Sequence, residues 1–207
     1  MLQPSTIKRR LKTILSEFKR ARKNWSELND EGLDIANSLM NIKLKEREID
    51  YSIYWKNDLD NLPDLEEEEN DEIGNFNENY KNLFQSLRQI FEKMGIQYTK
   101  MKIQILQMES LLEESCESLG EEFTYNTSLY LTCPLETFVN KSGNIMNMYT
   151  QELNLKQSII SSIETINERD KIMVMLSSWL NQPFINTQMI KEFEEICEVE
   201  INYEEIL

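Results

Sequence analysis

The stretch IKRRLKTILSEFKRARKNWSELNDEGLDIANSLMNIKLKEREIDYSI (residues 7–53) places an apolar residue at almost every alternating step of four and three. The seam runs Ile7, Leu11, Ile14, Phe18, Ala21, Trp25, Leu28, Gly32, Ile35, Leu39, Ile42, Glu46, Ile49 and Ile53, and only Gly32 and Glu46 break it. A repeat of 3.5 residues is the buried edge of a long helix that lies along another helix. No proline interrupts the stretch. At about 1.5 Å per residue such a helix runs roughly 70 Å, too long for one compact core to wrap, so a rod-like, all-α protein is expected.

A second seam follows: Phe76, Tyr80, Leu83, Leu87, Ile90, Met94, Gln97, Met101, Ile105, Met108, Leu112, Ser115 and Leu119. Gly120 then offers a stop. Between the seams, residues 56–75 carry Pro63, Gly74 and nine acids, among them Glu66, Glu67, Glu68 and Glu69. Like charges repel and few large apolar residues are present, so this segment reads as an acidic flexible connector. Two long helices joined by one connector form an antiparallel hairpin most simply, with facing positions adding to about 129. Gly32 then faces Gln97 and Tyr98, Trp25 faces Ile105, and Leu11 sits beside Leu119.

The first helix is expected to begin near Ser5, with Ser5 or Thr6 as cap. Residues 121–133 read as a loop. Pro134 opens a shorter third helix through Leu135, Phe138, Ile145, Tyr149, Leu153, Ile160 and Ile163. Asp170 caps a small fourth helix to Leu180, and Pro183 follows as a stop. Asn186 or Thr187 caps a fifth, to about Val199, with Met189, Ile190, Phe193 and Ile196 facing inward. The expected organisation is one elongated helical domain over residues 1–207, ending in an acidic tail at 200–207.

Composition narrows the function. The 207 residues contain no histidine, so the chain alone builds no Ser-His-Asp, Cys-His or Glu-x-x-His site. Cys116, Cys133 and Cys197 are odd in number and form no C-x-x-C pair. They read as reduced thiols of an intracellular protein. The Glu66–Glu69 run lacks the shaped loop a cation site needs. Ser5-Thr-Ile-Lys8 and Ser16-Glu-Phe-Lys19 match S-x-x-K without any companion motif. No glycine loop for phosphates is present. No enzyme, cofactor, metal or small-molecule substrate is expected. No apolar run reaches the ~20 residues of a membrane span, and no signal-peptide core is seen.

Net charge is −15, unevenly spread. Residues 1–23 hold eight basic side chains against Glu17, a local +7, which leaves −22 for the rest. The acidic body disfavours nucleic acid and anionic membranes and suits basic protein partners. Lys8-Arg9-Arg10 and Lys19-Arg20-Ala-Arg22-Lys23 together read either as a two-part nuclear import signal or as a solvated helix face. Trp25 and Leu28 on the first seam, and Trp179, Leu180, Pro183 and Phe184 around the fourth helix stop, are candidate interface residues, because large aromatics dominate many interfaces. The alternative for both tryptophans is burial, with Trp179 clamping the last helices onto the bundle.

Three segments carry a family resemblance. They are Trp25-Ser-Glu-Leu-Asn-Asp-Glu-Gly-Leu-Asp-Ile-Ala-Asn-Ser-Leu39, Met148-Tyr-Thr-Gln-Glu-Leu-Asn-Leu-Lys156, and the Ser-x-Trp-Leu-x-Gln-Pro-aromatic pattern within Leu176–Ile185. In this order and spacing they resemble the cyclin-dependent kinase 2-interacting protein family. The resemblance implies a small, helical, non-enzymatic adaptor, nuclear with a cytoplasmic pool allowed. It implies contacts with cell-cycle and replication kinases, with a checkpoint kinase's partner protein and with a helical co-subunit. It further implies membership of a chromatin-associated AAA-type ATPase complex, acting in DNA replication, the DNA damage checkpoint and large ribosomal subunit maturation. A self-associating coiled-coil tether is the alternative.

Overall fold

Pro4 opens the first helix. Its ring fixes a helical φ, and the N–H it lacks would have no partner at a helix start. The backbone N–H groups of Thr6 and Ile7 donate to the Gln3 carbonyl at 2.9 and 3.1 Å. The start therefore precedes the expected Ser5 cap by one residue. A computed structural model describes residues 3–57, 66–163, 165 and 168–202, with side chains outside 46–77. The elements are α1 (Pro4–Asn57), α2 (Glu66–Leu119), a π-helical turn (Glu122–Asn126), α3 (Leu135–Ser162), α4 (Arg169–Asn181) and α5 (Thr187–Asn202). No strand occurs among the described residues, so the class is all-α.

Local signals explain most of the remaining ends. Gly120 adopts φ +87° and its N–H bonds the Cys116 carbonyl at 2.9 Å, which terminates α2 as a left-handed glycine does. The Asn186 side chain accepts from the Met189 N–H at 3.0 Å and caps α5, as the sequence predicts. At α4 the expected Asp170 cap is displaced. The extended Glu168 precedes the helix and accepts from the Ile172 N–H, and Asp170 lies inside the first turn. The loop expected at 121–133 contains the π turn, closed by Thr127 N–H to the Glu122 carbonyl at 3.0 Å. Thr124 pins that turn through its hydroxyl, 3.1 Å from the buried Ser115 hydroxyl.

The chain divides into two compact units. The first comprises Met1–Ser26, Gly95–Asn154 and Pro183–Leu207; the second comprises Glu27–Met94 and Leu155–Gln182. In the first unit Ile7, Leu11, Phe18 and Trp25 of α1 share a core with Met101 and Met108 of α2, Phe138 and Ile145 of α3, and Phe193 of α5. The second unit buries Leu39 and Met40 of α1, Leu87 and Ile90 of α2, Ile160 of α3 and Trp179 of α4. The seams supply both cores. On α1 the buried set moves from Leu28 and Ile35, which are half-buried, to Asn29 and Ala36. On α5, Met189 in the first turn is exposed, while Phe193 and Glu200 further along are buried.

Within each unit α1 and α2 run antiparallel. In the first, Arg10 meets Glu114 and Asn24 meets Gln97. In the second, Gly32 meets Ile90 and Lys43 lies over the Tyr80 ring. These pairs add to 124, 121, 122 and 123, about one heptad below the expected 129. Gly32 therefore does not face Gln97, and Trp25 packs on Tyr149 of α3. The cause lies in the connector. α2 begins at Glu66, inside the stretch read as connector, and the observed ends 57 and 66 themselves add to 123. Acidic residues are compatible with a helix start, where the positive end of the helix dipole lies. Residues 58–65, all that is left of the expected connector, lie outside the described residues, as does 203–207 of the expected tail.

Candidate functional site

Trp179 decides how the second unit is built. Its side chain is 0% exposed. The indole lies flat enough on Gly32 that a Cβ there would come within 2.7 Å of the ring. Its N–H donates to the Asn29 carbonyl at 3.1 Å. The Lys156 ammonium, equally buried, donates to the Asn29 side-chain oxygen at 2.6 Å and to the Trp179 carbonyl at 3.3 Å. It also stands 4.3 Å from the indole centroid, a cation–π distance. Three helices, α1, α3 and α4, are thereby tied through one polar knot. Trp179 is buried and clamps these helices together within the second unit.

Trp25 is likewise buried, 1% exposed, in the first unit. It meets Tyr149 edge-to-face at 5.3 Å between centroids. Burial pushes the Tyr149 hydroxyl up to about 12. Of the remaining candidates, Leu28 is half-buried, while Leu180, Pro183 and Phe184 are exposed. The sequence reading missed Asn29 and Lys156. The signal was present: Asn29 falls four residues after Trp25, and Lys156 seven after Tyr149, at the helical spacing of buried positions.

Exposed apolar side chains offer surfaces that the fold itself does not use. On α2, in the first unit, Ile96 and Leu106 are 55% exposed and Ile103 is 45% exposed. On α4, in the second unit, Met173, Val174 and Leu180 are more than half exposed. The sequence reading named Leu180 as an interface candidate and passed over the others, which lie off the main seams.

The basic start of the chain is helical, and much of it is committed to carboxylates. Arg10 grips Glu114 with two bonds, at 2.6 and 3.0 Å. This pairing raises the Arg10 pKa and lowers that of Glu114. Arg22 is buried and bonds Glu194 of α5 at 2.8 Å, and Lys19 joins the same carboxylate at 3.1 Å. Arg20 pairs with Glu17. Lys8 lies over Tyr130, whose hydroxyl donates to the Lys8 carbonyl at 2.7 Å. Arg9 and Lys23 are exposed. The seven candidate import residues thus occupy a structured helix, and Arg10, Arg22 and Lys19 help to hold the first unit together.

The C-terminal helix closes that unit from the other side. Glu200, expected in a tail, is a buried residue of α5. Its carboxylate accepts from the backbone N–H groups of Leu131, Thr132 and Cys133 and from the Thr132 hydroxyl. Burial alone would raise its pKa, but these hydrogen bonds outweigh that and hold it below the usual carboxylate range. Burial pushes the Cys197 thiol up to about 12 and raises the Cys133 thiol too, so both stay protonated at neutral pH.

Among the described residues no helix is long and apolar enough to cross a membrane. No protein-family model matches the chain. It is similar to cyclin-dependent kinase 2-interacting protein of Homo sapiens, at 25% identity over 184 residues, which is 88% of this chain and 84% of the human protein. The Bos taurus protein of the same name is 27% identical over 87% of this chain and 83% of its own length. That of Xenopus laevis is 31% identical over 77 residues, 36% of this chain and 37% of its own. These matches agree with the resemblance carried by the Trp25, Met148 and Leu176 segments, and the chain is similar along most of its length to the cyclin-dependent kinase 2-interacting proteins.

Proposed function

We propose that the chain is a non-enzymatic helical adaptor that binds other proteins through the outer faces of its helices. The observation that carries this reading is the presence of large apolar side chains exposed on α2 and α4 in units whose cores are already filled. The name of its relatives, an interacting protein of a cyclin-dependent kinase, supports protein partners of that class. The finer reading follows the family resemblance: a nuclear subunit of an AAA-type ATPase complex, acting in replication, checkpoint signalling and large ribosomal subunit maturation. Affinity purification of the full chain from nuclear extract, followed by mass spectrometry, tests it. Co-purification of a kinase or an AAA-type ATPase at constant stoichiometry is expected. A chain that emerges as a lone monomer, or only as copies of itself, contradicts the adaptor reading.

A further inference from the structure

The outer face of α2 in the first unit carries a second, shorter heptad stripe. Ile96, Thr99, Ile103 and Leu106 follow one another at steps of three, four and three. All four are exposed. They lie across the helix from Met101, Ile105 and Met108, which are buried. α2 is therefore apolar on two opposite faces, and the fold consumes only one. A stripe at this spacing accepts knobs from a helix, since a helix is the element whose side chains recur at the same interval.

The flanks select the partner. Lys100 follows Thr99 and Lys102 precedes Ile103, the two positions that border a heptad seam on either side. Both are exposed, and neither forms an ion pair among the described residues. A second copy of this chain docking by the same stripe would bring lysines against lysines, within a protein whose net charge of −15 already opposes self-association. An amphipathic helix bordered by acidic residues meets both the apolar stripe and the lysines.

We infer that the Ile96–Leu106 face of α2 is a docking groove for an amphipathic helix of another protein, with acidic residues flanking its apolar seam. This rests on the adaptor reading and names the surface that serves it. The lysines set orientation and partner choice, and the isoleucines and leucine supply the buried area.

The test uses the full chain and a synthetic helix of about four heptads, with Leu at the seam positions and Glu at the flanking ones. Its Lys-flanked counterpart is the comparison. Fluorescence anisotropy is expected to show the Glu-flanked helix binding at least about tenfold more tightly. Ile103→Glu, a change at an exposed position, is expected to weaken that binding at least about tenfold with unchanged helicity by circular dichroism. The double charge reversal Lys100→Glu, Lys102→Glu is expected to reverse the preference toward the Lys-flanked helix. Equal binding of the two helices, binding indifferent to Ile103→Glu, or a homodimer that Ile103→Glu dissociates would each overturn the inference. The adaptor reading is judged separately by what the chain co-purifies with, so partners whose recovery ignores Ile103→Glu would remove this surface and leave that reading standing.

Discussion

At the scale of single residues, Gly32 packs directly against Trp179 in the second unit. A methyl at position 32 would meet the indole at 2.7 Å and Ile90 at 3.2 Å. An aromatic ring wedged between helices cannot step aside as a flexible tip can. Overpacking of this kind costs about 1–3 kcal/mol, against a helix-propensity gain of about 1 kcal/mol for Ala over Gly. Gly32→Ala is therefore expected to lower stability by about 1 kcal/mol in urea denaturation, and to do so far less in a Trp179→Phe background. Trp179→Ala itself should cost about 3–5 kcal/mol, because it empties a core position and releases the bond to the Asn29 carbonyl. Leu180→Ser, one residue along and exposed, is expected to stay within about 0.5 kcal/mol of the parent. Equal effects at 179 and 180 would refute the clamp. Trp25 was legible as a core residue because it sits on an unbroken apolar seam. Asn29 and Lys156 were legible only through their spacing from Trp25 and Tyr149, because hydropathy has no term for a polar group whose partners are supplied by two other helices.

At the scale of elements, periodicity specified the existence of α1 and α2 and concealed their register. A slide of seven residues returns every seam position to the seam, so the heptad pattern is blind to it. Only the connector's length breaks the degeneracy, and that depended on whether the Glu66–Glu69 run was loop or helix start. Spin labels at Ser38 and Gln85, both exposed and adding to 123, are expected to be closer than labels at Ser38 and Glu92, which add to 130. The difference corresponds to a slide of roughly 10 Å along the axis. Double electron–electron resonance measures both, and the reverse order would restore the longer connector.

The packing of α5 has a pH signature. The folded pKa of Glu200 lies below the ordinary carboxylate value of about 4.3. Its stabilising contribution is therefore complete above that value and is lost as pH falls through the lower, folded pKa. Glu200→Gln is expected to lower stability at pH 7 by about 1–3 kcal/mol, the cost of replacing charge-assisted bonds to three backbone N–H groups. The gap between Glu200→Gln and parent should narrow toward acid, as thermal melts from pH 7 to pH 3 would record. A gap constant with pH would mean that the carboxylate is not ionised in the fold. The acidic composition of residues 198–207 masked the last turn of this helix, because a glutamate that caps a distant loop looks in sequence like any solvated one.

At the scale of the whole molecule, charge decides which partners are available. The basic start carries a local +7, yet Arg10, Lys19, Arg20 and Arg22 are each paired with a glutamate of the chain. Their field is largely cancelled at short range, and the rest of the protein repels phosphates. Duplex DNA is expected to show no binding by anisotropy at ~0.15 M salt; a salt-dependent Kd in the micromolar range would contradict this. Protein partners remain, and they require surface. Composition showed that the chain is helical and acidic, but which helix faces stay bare after folding depends on how α3, α4 and α5 fill the two units.

Cross-linking mass spectrometry on the full chain within its purified assembly tests the central claim most directly. Lys100 and Lys102, beside the exposed stripe of α2, are expected to link to acidic residues of a different polypeptide with a zero-length carboxyl-to-amine reagent. Recovery of those lysines only in links within the chain, or between copies of it, would contradict an adaptor that works through this helix face.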